Sequence, residues 1–288
     1  MAAHPYTLLD VFTDTPLAGN PLAVVHEADA IPEADMLRFA RETRLSETTF
    51  VQTATAAGAD YRNRIWDMEE ELPFAGHPSL GTAVAVARRR GLASAEFVQQ
   101  TPAGLQPISV RLDGDGATAS MVQEPAQFGP EVAAEAALGV LGLPAEAIHP
   151  GLPAQFVSTG APHLLVPLAD AGWLARPDPD WAAIRRLLQP QRALTLYLAW
   201  ADPAAGIAKA RAFSDSAEMG EDPATGSAAG PLGAFLAVRA GCAGLEIAQG
   251  VEMGRPSALR VQANPADAAP RPRVSGDAVV VIDGTLRL

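Results

Sequence analysis

The chain has 288 residues, of which 48% are hydrophobic, and it carries a formal net charge of −12 at pH 7. A chain of this length and composition can bury a sizeable core, and it predicts two domains or one large one. The 21 basic residues are spread thinly and form no run longer than Arg88-Arg89-Arg90, which argues against a nucleic-acid partner.

Further function classes are excluded by what the sequence lacks. No apolar run approaches the roughly 18 residues of a membrane helix, and the N-terminal sequence has no secretory signal pattern, so we expect a cytoplasmic protein with no membrane partner. Cys242 is the only cysteine, which excludes an internal disulfide and a thiol-rich metal site. The histidines have no ligand spacing and no phosphate-binding loop is present, so neither a metal nor a nucleotide is expected. Lys209, the only lysine, is interpreted as a solvated strand charge and not as a Schiff-base residue.

The first part of the chain predicts short strands and two helices. The helices are expected from Pro32-Glu33 to Thr43 and over 83–90. The strands are expected at 6–12, 22–25, 46–51, 62–66, 97–100, 108–112 and 119–123.

A change of composition at Glu124-Pro125 predicts a domain boundary. We therefore divide the chain into domains 1–123 and 124–288, with the last strand, near 278–288, a candidate for packing back on the first domain. An Ala-rich helix is predicted over 131–141, directly after the boundary.

The second part of the chain repeats the pattern of the first. The separation is 141 residues from Gly19 to Gly160 and 148 from Arg44 to Arg192, a nearly constant offset that indicates two homologous halves. The matched segments are 19–25 with 160–166, 44–50 with 192–198, 62–66 with 209–213, and His77-Pro78-Ser79-Leu80-Gly81-Thr82 with Asp222-Pro223-Ala224-Thr225-Gly226-Ser227.

The stretch 220–229 combines a carboxylate, a proline, two hydroxyls and glycine at the start of a predicted helix. The free N–H groups of a helix start attract anions, so this stretch is a candidate substrate site. The alternative is that Asp222 and Ser227 only cap the helix. Because a similar motif surrounds His77, we favour function and expect both helix starts to face one cleft between the domains.

Glu47 is the candidate acid/base. Aligning Arg44 with Arg192 places Thr195 opposite Glu47, so only one half supplies a carboxylate. A racemase needs a proton-transfer group on each side of the substrate, whereas an isomerase needs one. The alternative is a solvated glutamate beside a strand. His77 is a candidate proton shuttle or hydrogen-bond partner of the substrate, with a simple helix cap as the alternative.

These motifs together resemble the PhzF family of phenazine-biosynthesis-like proteins. They are Gly19-Asn20-Pro21, Ser46-Glu47-Thr48-Thr49-Phe50, Leu72-Pro73-Phe74-Ala75-Gly76-His77-Pro78, Glu221-Asp222-Pro223-Ala224-Thr225-Gly226-Ser227-Ala228 and Gln249-Gly250-Val251-Glu252-Met253-Gly254. The resemblance implies an α+β, diaminopimelate-epimerase-like fold: two pseudo-symmetric domains, each a curved, mostly antiparallel sheet or barrel around a central helix, often in a homodimer.

The resemblance also implies an activity. The type member isomerises trans-2,3-dihydro-3-hydroxyanthranilate without a cofactor. Its catalytic glutamate falls on Glu47, and its substrate-contacting residues fall on His77, Asp222, Gly226 and Ser227. We expect the helix-start amides near Gly76 and Gly226 to hold the substrate carboxylate or a developing oxyanion.

The leading hypothesis is thus cofactor-independent proton transfer by Glu47 on a small carboxylated substrate. The competing hypothesis is a non-catalytic small-molecule binding protein that retains the cleft. A racemase or epimerase is the third.

Overall fold

A computed structural model describes residues 2–114, 116–215 and 219–288. The chain forms two compact units. Unit 1 holds the chain up to Met121 together with Ser275–Leu288, and unit 2 holds Val122–Val274. In the described part of the chain, no helix is long and apolar enough to cross a membrane.

Unit 1 is a closed ring of strands around a helix. Its elements are β1 (Ala3–Val11), β2 (Asn20–Val25), α1 (Glu33–Thr43), β3 (Thr48–Gln52), β4 (Tyr61–Trp66), β5 (Glu71–Leu72), α2 (Gly76–Arg89), β6 (Ser94–Thr101), β7 (Gly104–Asp113), β8 (Gly116–Val122) and most of β17 (Arg273–Arg287). Hydrogen-bonded neighbours run β1–β2–β3–β4–β6–β7–β8–β17, and β17 pairs back with β1, which closes the barrel.

Helix α2 is enclosed by this barrel. All of its residues from Gly76 to Ala87 are buried, and the helix contacts six of the surrounding strands, from β1 to β7. A Cβ at Gly81 would lie 2.6 Å from Leu22 Cδ2 and 2.8 Å from Val11 Cγ2. The small residues of α2 therefore let a helix fit within the ring, where larger side chains would overpack the core.

Unit 2 contains the second central helix. Its elements are β9 (Gln127–Val132), α3 (Ala134–Gly139), β10 (Ala154–Ser158), β11 (Pro162–Pro167), α4 (Trp181–Leu188), β12 (Thr195–Asp202), β13 (Ile207–Ser214), β14 (Glu221–Asp222), α5 (Gly226–Ala240), β15 (Gly244–Gln249) and β16 (Ser257–Gln262). Neighbouring strands run β9–β10–β11–β12–β13–β15–β16. Helix α5 is buried along most of its length and packs on β10, β11, β15 and β16.

The two units share one topology, which confirms the α+β fold of two similar halves. In unit 1, β1–β2 is antiparallel, β2–β3 parallel and β3–β4 antiparallel, and β4 then pairs with the two-residue strand β5 and, in parallel, with β6. In unit 2, the strands β10 to β15 pair in the same order. Ala23 pairs with Thr48 in unit 1, and Leu164 pairs with Leu196 in unit 2. This register confirms the offsets of 141 and 148 residues, and it makes Thr195 the counterpart of Glu47.

The predicted equivalence of His77 with Asp222 is wrong by five residues. Trp66 pairs with Glu71 and its counterpart Phe213 pairs with Glu221, an offset of 221 − 71 = 150. The same offset relates Gly76 to Gly226, the first residues of α2 and α5. His77 is therefore the counterpart of Ser227 and not of Asp222, whose counterpart is Leu72. The pattern Pro-x-x-Gly occurs at both Pro73 and Pro78. The predicted repeat matched Pro223 with Pro78, whereas the offset of 150 matches it with Pro73.

Two predicted helices also have different limits. Helix α2 begins at Gly76, seven residues before the predicted start at Ala83, because the Gly-His-Pro-Ser segment is helical. Residues 131–132 lie in β9, and the predicted helix over 131–141 is reduced to α3, Ala134–Gly139. Pairing of β9 with β10 overrides the helix propensity of this alanine-rich segment.

The same ion pair anchors the chain ahead of each central helix. Arg64 Nε donates to Glu71 Oε1 at 2.7 Å, and Arg211 Nε donates to Glu221 Oε1 at 2.8 Å. Both arginines make a second bond to the other carboxylate oxygen. These bidentate pairs fix the two-residue strands β5 and β14, from which the chain enters α2 and α5.

Candidate active site

Local structure brings Glu47 and His77 together in unit 1. Helix α1 ends at Thr43, and the left-handed backbone of the next residue, Arg44 (φ 53°), turns the chain towards β3. Glu47 directly precedes β3, and Asn20 is the first residue of the parallel neighbour β2. Parallel strands begin at the same edge of a sheet, so these two residues lie at one end of the β2–β3 pair. His77, the second residue of α2, meets them there.

The site is built from a chain of polar contacts. His77 Nε2 lies 3.5 Å from Glu47 Oε2, and the two side chains are 5% and 15% exposed. The other ring nitrogen, Nδ1, lies 3.2 Å from Asn20 Nδ2. Ser46 Oγ donates to Asn20 Oδ1 at 3.3 Å. A hydrogen-bonded sequence therefore runs from Ser46 through Asn20 to the imidazole that faces Glu47.

These contacts set the proton position on His77. Burial lowers the pKa of His77 to about 3, so the ring is neutral at pH 7 and carries one N–H. Because Asn20 accepts from Ser46 through its oxygen, its amide N–H groups face His77 Nδ1, which must accept. The proton then lies on Nε2 and faces Glu47. A distance of 3.5 Å exceeds an ordinary N–H···O bond, but catalytic hydrogen bonds often tighten when a ligand binds.

The start of α2 presents backbone amides beside this pair. Ala75 is the residue before the helix and makes no side-chain cap, while Ser79 Oγ donates back to the Ala75 carbonyl at 2.7 Å. The first N–H groups of a helix have no intrahelical acceptor and carry its positive dipole end. Gly76 and His77 therefore supply amides suited to an anionic oxygen.

In unit 2, the predicted residues Asp222, Gly226 and Ser227 surround the start of α5. Gly226 and Ser227 are its first two residues, and Thr225 makes no side-chain cap to the helix. Instead Thr225 Oγ1 donates to Asp222 Oδ2 at 2.6 Å. The residues directly before the two central helices, Ala75 and Thr225, make no side-chain cap.

A buried network holds the Asp222 segment. Gln249 Nε2 donates to the Asp222 carbonyl at 2.8 Å and to Thr225 Oγ1 at 2.9 Å. Gln249 Oε1 accepts from the Thr225 amide at 3.1 Å and from Tyr197 Oη at 2.9 Å. Burial raises the pKa of Tyr197, so the phenol stays protonated and remains a donor. Each polar atom of the Gln249 side chain thus has partners, which rigidifies the segment.

Sequence reasoning missed the supporting residues of both units. The partners of His77 and Glu47, Asn20 and Ser46, lie within the Gly19-Asn20-Pro21 and Ser46-Glu47-Thr48 motifs but were given no role. Gln249 opens the Gln249-Gly250-Val251 motif, and its burial inside unit 2 gives that motif a physical reason. Asn20 is the first residue of β2 and Gln249 is the last residue of β15. A polar residue at the end of an otherwise apolar strand was the sequence signal that could have identified both.

Known proteins match this chain over almost its whole length. The sequence profile described as phenazine biosynthesis-like protein matches residues 9–284. The chain belongs to the PhzF family. It is 34% identical, over 99% of its length and 100% of the relative, to trans-2,3-dihydro-3-hydroxyanthranilate isomerase of Pseudomonas fluorescens. Two further relatives with the same name, from Pseudomonas chlororaphis and Pseudomonas aeruginosa, also match over nearly their whole length. The chain is accordingly a PhzF-like isomerase.

Solved structures agree with this assignment. The PhzF-family phenazine biosynthesis protein of Bacillus anthracis covers 100% of both chains at 27% identity, with a TM-score of 0.86. A probable proline racemase from Agrobacterium radiobacter covers 99% of this chain and 92% of its own, with a TM-score of 0.68. At 13% identity, the racemase shows a common fold and nothing about chemistry.

Proposed function

We propose that this PhzF protein is a cofactor-independent isomerase in which Glu47 transfers a proton between two carbons of a small carboxylated substrate. The substrate class is that of trans-2,3-dihydro-3-hydroxyanthranilate, the compound in the name of the Pseudomonas fluorescens relative. The observation that carries the proposal is the pair formed by the partly buried Glu47 and the buried, neutral His77, whose side chains lie 3.5 Å apart. The pair combines a proton acceptor with a fixed hydrogen-bond donor.

The reaction balances with one acid/base. Glu47 takes a proton from a substrate carbon, the electron pair of that C–H bond shifts the adjacent double bond, and Glu47 returns a proton to the new carbanion position. No atom or electron is gained or lost overall, so neither an oxidant nor a second base is needed. The Nε2–H of His77 stabilises Glu47 while it is a carboxylate, and it stays in place because Asn20 occupies Nδ1.

Substrate binding is assigned to the helix starts. The amides of Gly76 and His77, and those of Gly226 and Ser227, are proposed to bind the substrate carboxylate and the charge that develops during proton transfer. Asp222 is proposed to hold a cationic or hydroxyl substituent, because the network of Gln249 and Thr225 fixes its position. The homodimer and the cytoplasmic location remain predictions.

Glu47→Gln tests the proposal with trans-2,3-dihydro-3-hydroxyanthranilate as the substrate. The amide keeps the shape of the side chain but cannot accept the proton, so turnover should fall by at least a thousandfold, the order expected for a lost proton-transfer group. The matched control is Glu42→Gln, on the exposed end of α1, which should retain wild-type turnover. Wild-type turnover by Glu47→Gln would refute the assignment of Glu47.

Two other functions make different predictions. A non-catalytic binding protein would bind a carboxylated ring compound without exchanging any of its carbon-bound protons. A racemase would need a second acid/base, yet the counterpart of Glu47 in unit 2 is Thr195. A racemase would return the starting compound inverted at the deprotonated carbon, whereas the isomerase returns the proton to a different carbon and gives a product with a shifted double bond.

A further inference from the structure

A buried chain of polar side chains, Asn63, Gln99 and Ser79, ends at the start of α2. All three residues are 0% exposed. Asn63 Nδ2 donates to Gln99 Oε1 at 3.1 Å, and Gln99 Nε2 donates to Ser79 Oγ at 2.7 Å. Ser79 Oγ in turn donates to the carbonyl of Ala75, the residue before α2, at 2.7 Å. This polar chain connects β4 and β6 to the helix start that is proposed to bind the substrate.

The direction of each hydrogen bond in the polar chain is determined by the Ala75 carbonyl. A carbonyl oxygen can only accept, so the single hydroxyl hydrogen of Ser79 points to Ala75. Ser79 Oγ must then accept from Gln99, which places the amide nitrogen of Gln99 beside it. The Gln99 oxygen is left to accept from the amide nitrogen of Asn63. Exchanging the nitrogen and oxygen of either amide would place two acceptors against each other.

The fold alone does not explain this polar chain, because unit 2 has alanine at both of its ends. The offset of 150 residues between the central helices makes Ala229 the counterpart of Ser79. The offset of 213 − 66 = 147 residues between β4 and β13 makes Ala210 the counterpart of Asn63. In unit 1, Asn63 Oδ1 is buried and has no hydrogen-bond partner among the described residues, a cost that an apolar residue would avoid.

The bond from Ser79 controls the amide of Gly76. The carbonyl of Ala75 and the N–H of Gly76 belong to one planar trans peptide unit, so they point in opposite directions. The Ala75 oxygen accepts from the Ser79 hydroxyl at 2.7 Å and from the Ser79 amide at 3.3 Å. These two bonds hold the peptide plane and therefore the direction of the Gly76 N–H. Hydrogen bonds that follow one another also polarise one another, which makes the Gly76 N–H a stronger donor.

We propose that Ser79 and Gln99 are positioning residues that aim the Gly76 amide at the negative charge that develops on the substrate during proton transfer. The inference rests on the part of the proposed function that assigns this amide to the substrate. A donor that is already oriented does not have to reorganise when the charge appears, so its effect is on the transition state more than on binding. Unit 1 has this device at the helix start that carries His77 beside Glu47.

Ser79→Ala tests the inference, because it introduces the residue that unit 2 has at this position. The Gly76 amide remains but is no longer held, so kcat should fall about 10- to 100-fold, less than for the complete loss of an oxyanion donor. The probe for binding is 3-hydroxyanthranilate, an aromatic analogue that is not isomerised. Its affinity, measured by calorimetry, and the KM should stay within about threefold of wild type. Ser79→Thr keeps the hydroxyl and should retain kcat within about threefold.

Gln99→Met removes the donor to Ser79 and should lower kcat in the same direction. Added to Ser79→Ala, it should have little further effect on kcat, because the two residues act as one unit. The matched control is Thr82→Val, which removes another buried hydroxyl from α2. Thr82 Oγ1 donates to Thr49 Oγ1 at 2.9 Å and not to the helix start, so this variant should keep wild-type kcat even where urea titration shows lower stability.

A purely structural role predicts lower stability in Ser79→Ala with wild-type kcat of the folded protein, and that result would overturn the inference. Equal losses of kcat in Ser79→Ala and Ser79→Thr, or in Ser79→Ala and Thr82→Val, would also overturn it. If Ser79→Ala does not fold, wild-type kcat in Gln99→Met overturns it. Wild-type turnover by Glu47→Gln together with a loss in Ser79→Ala would remove the proposed acid/base and leave this inference standing. If wild type does not isomerise the dihydro compound, both fall.

Discussion

The imidazole of His77 is held between Asn20 and Glu47, with Nδ1 3.2 Å from the asparagine amide nitrogen and Nε2 3.5 Å from the glutamate oxygen. Each ring nitrogen thus has a distinct neighbour. The ring acts as a neutral donor because burial lowers its pKa far below 7. The residue paired with the proposed acid/base is therefore not itself an acid at neutral pH.

Asn20→Ala should reduce catalysis because the proton of His77 is then no longer held on Nε2. Without the amide donor, the imidazole proton can occupy Nδ1, and Glu47 then faces a lone pair. We expect kcat to fall at least tenfold, equivalent to about 1.4 kcal/mol, with a smaller change in KM. Nitrogen-15 NMR of the His77 ring should show the tautomer change directly. The exposed Asn264→Ala serves as a control. An unchanged kcat with an unchanged His77 spectrum would contradict the assignment of Asn20.

Acid should destabilise the protein through its buried histidines. The pKa of His163 is lowered to about 3, below the ordinary value of about 6.5. The unfolded chain therefore takes up the proton first. The stabilising contribution is fully present above pH 6.5 and is lost as the pH falls towards the folded value. Between pH 7 and 5, the wild type should lose about 2 kcal/mol more unfolding free energy than His163→Leu. Urea titrations at both pH values would measure this difference, and parallel losses in the two proteins would contradict it.

Arg211→Met should destabilise unit 2 because it leaves Glu221 without its bidentate partner. Both side chains of this pair are 13% exposed. Removing Arg211 takes two charge-assisted hydrogen bonds from the partly buried Glu221, which should cost about 1.5–3 kcal/mol of unfolding free energy. Arg38→Met is the control, because the Arg38 side chain is 79% exposed and pairs with Asp35 at the surface. Its loss should cost less than about 1 kcal/mol. Equal effects in a urea titration would show that the Arg211–Glu221 pair does not anchor β14.

Gly230→Ala should disturb the start of α5 through Gln123. A Cβ at Gly230 would lie 1.8 Å from Gln123 Oε1. Gln123 Nε2 donates to the Gly226 carbonyl at 2.9 Å, so displacing this side chain removes a contact to the first residue of the helix. We expect a loss of about 1–3 kcal/mol in unfolding free energy.

The control is Gly139→Ala at the end of α3, where an added Cβ meets nothing within 4 Å. That change should be neutral or stabilising by about 0.5–1 kcal/mol. A loss from Gly230→Ala no larger than that from Gly139→Ala would contradict the role of Gln123.

The sequence predicted the repeated architecture but misplaced one equivalence. The offsets for 19–25 and 44–50 agree with the strand registers, because apolar strands with flanking turn residues keep a recognisable pattern. The motif around His77 contains Pro-x-x-Gly twice, and pattern alone could not choose between them. The ion pair of Arg211 with Glu221 and its counterpart in unit 1 fix the true register. A side-chain contact across strands is not visible in local sequence.

Of the predicted site residues, Glu47 and His77 are adjacent in unit 1, and Asp222, Gly226 and Ser227 are grouped at one helix start in unit 2. Their motifs combine glycine, proline and charged residues within a few positions, which makes the motifs recognisable in the sequence. The residues that hold them were not predicted. Asn20 and Gln249 act through contacts across 57 and 24 residues of sequence, so only the folded chain shows the connection.

Deuterium transfer in D2O tests the role of Glu47 most directly. The wild type and Glu47→Gln would be incubated with trans-2,3-dihydro-3-hydroxyanthranilate and followed by NMR, after both have been shown to bind 3-hydroxyanthranilate. Because a protonated Glu47 exchanges with solvent, the wild type should give isomerised product that carries deuterium at the reprotonated carbon. Glu47→Gln should give neither product nor deuterium above the buffer background. Isomerised, deuterated product from Glu47→Gln at the wild-type rate would contradict proton transfer by Glu47.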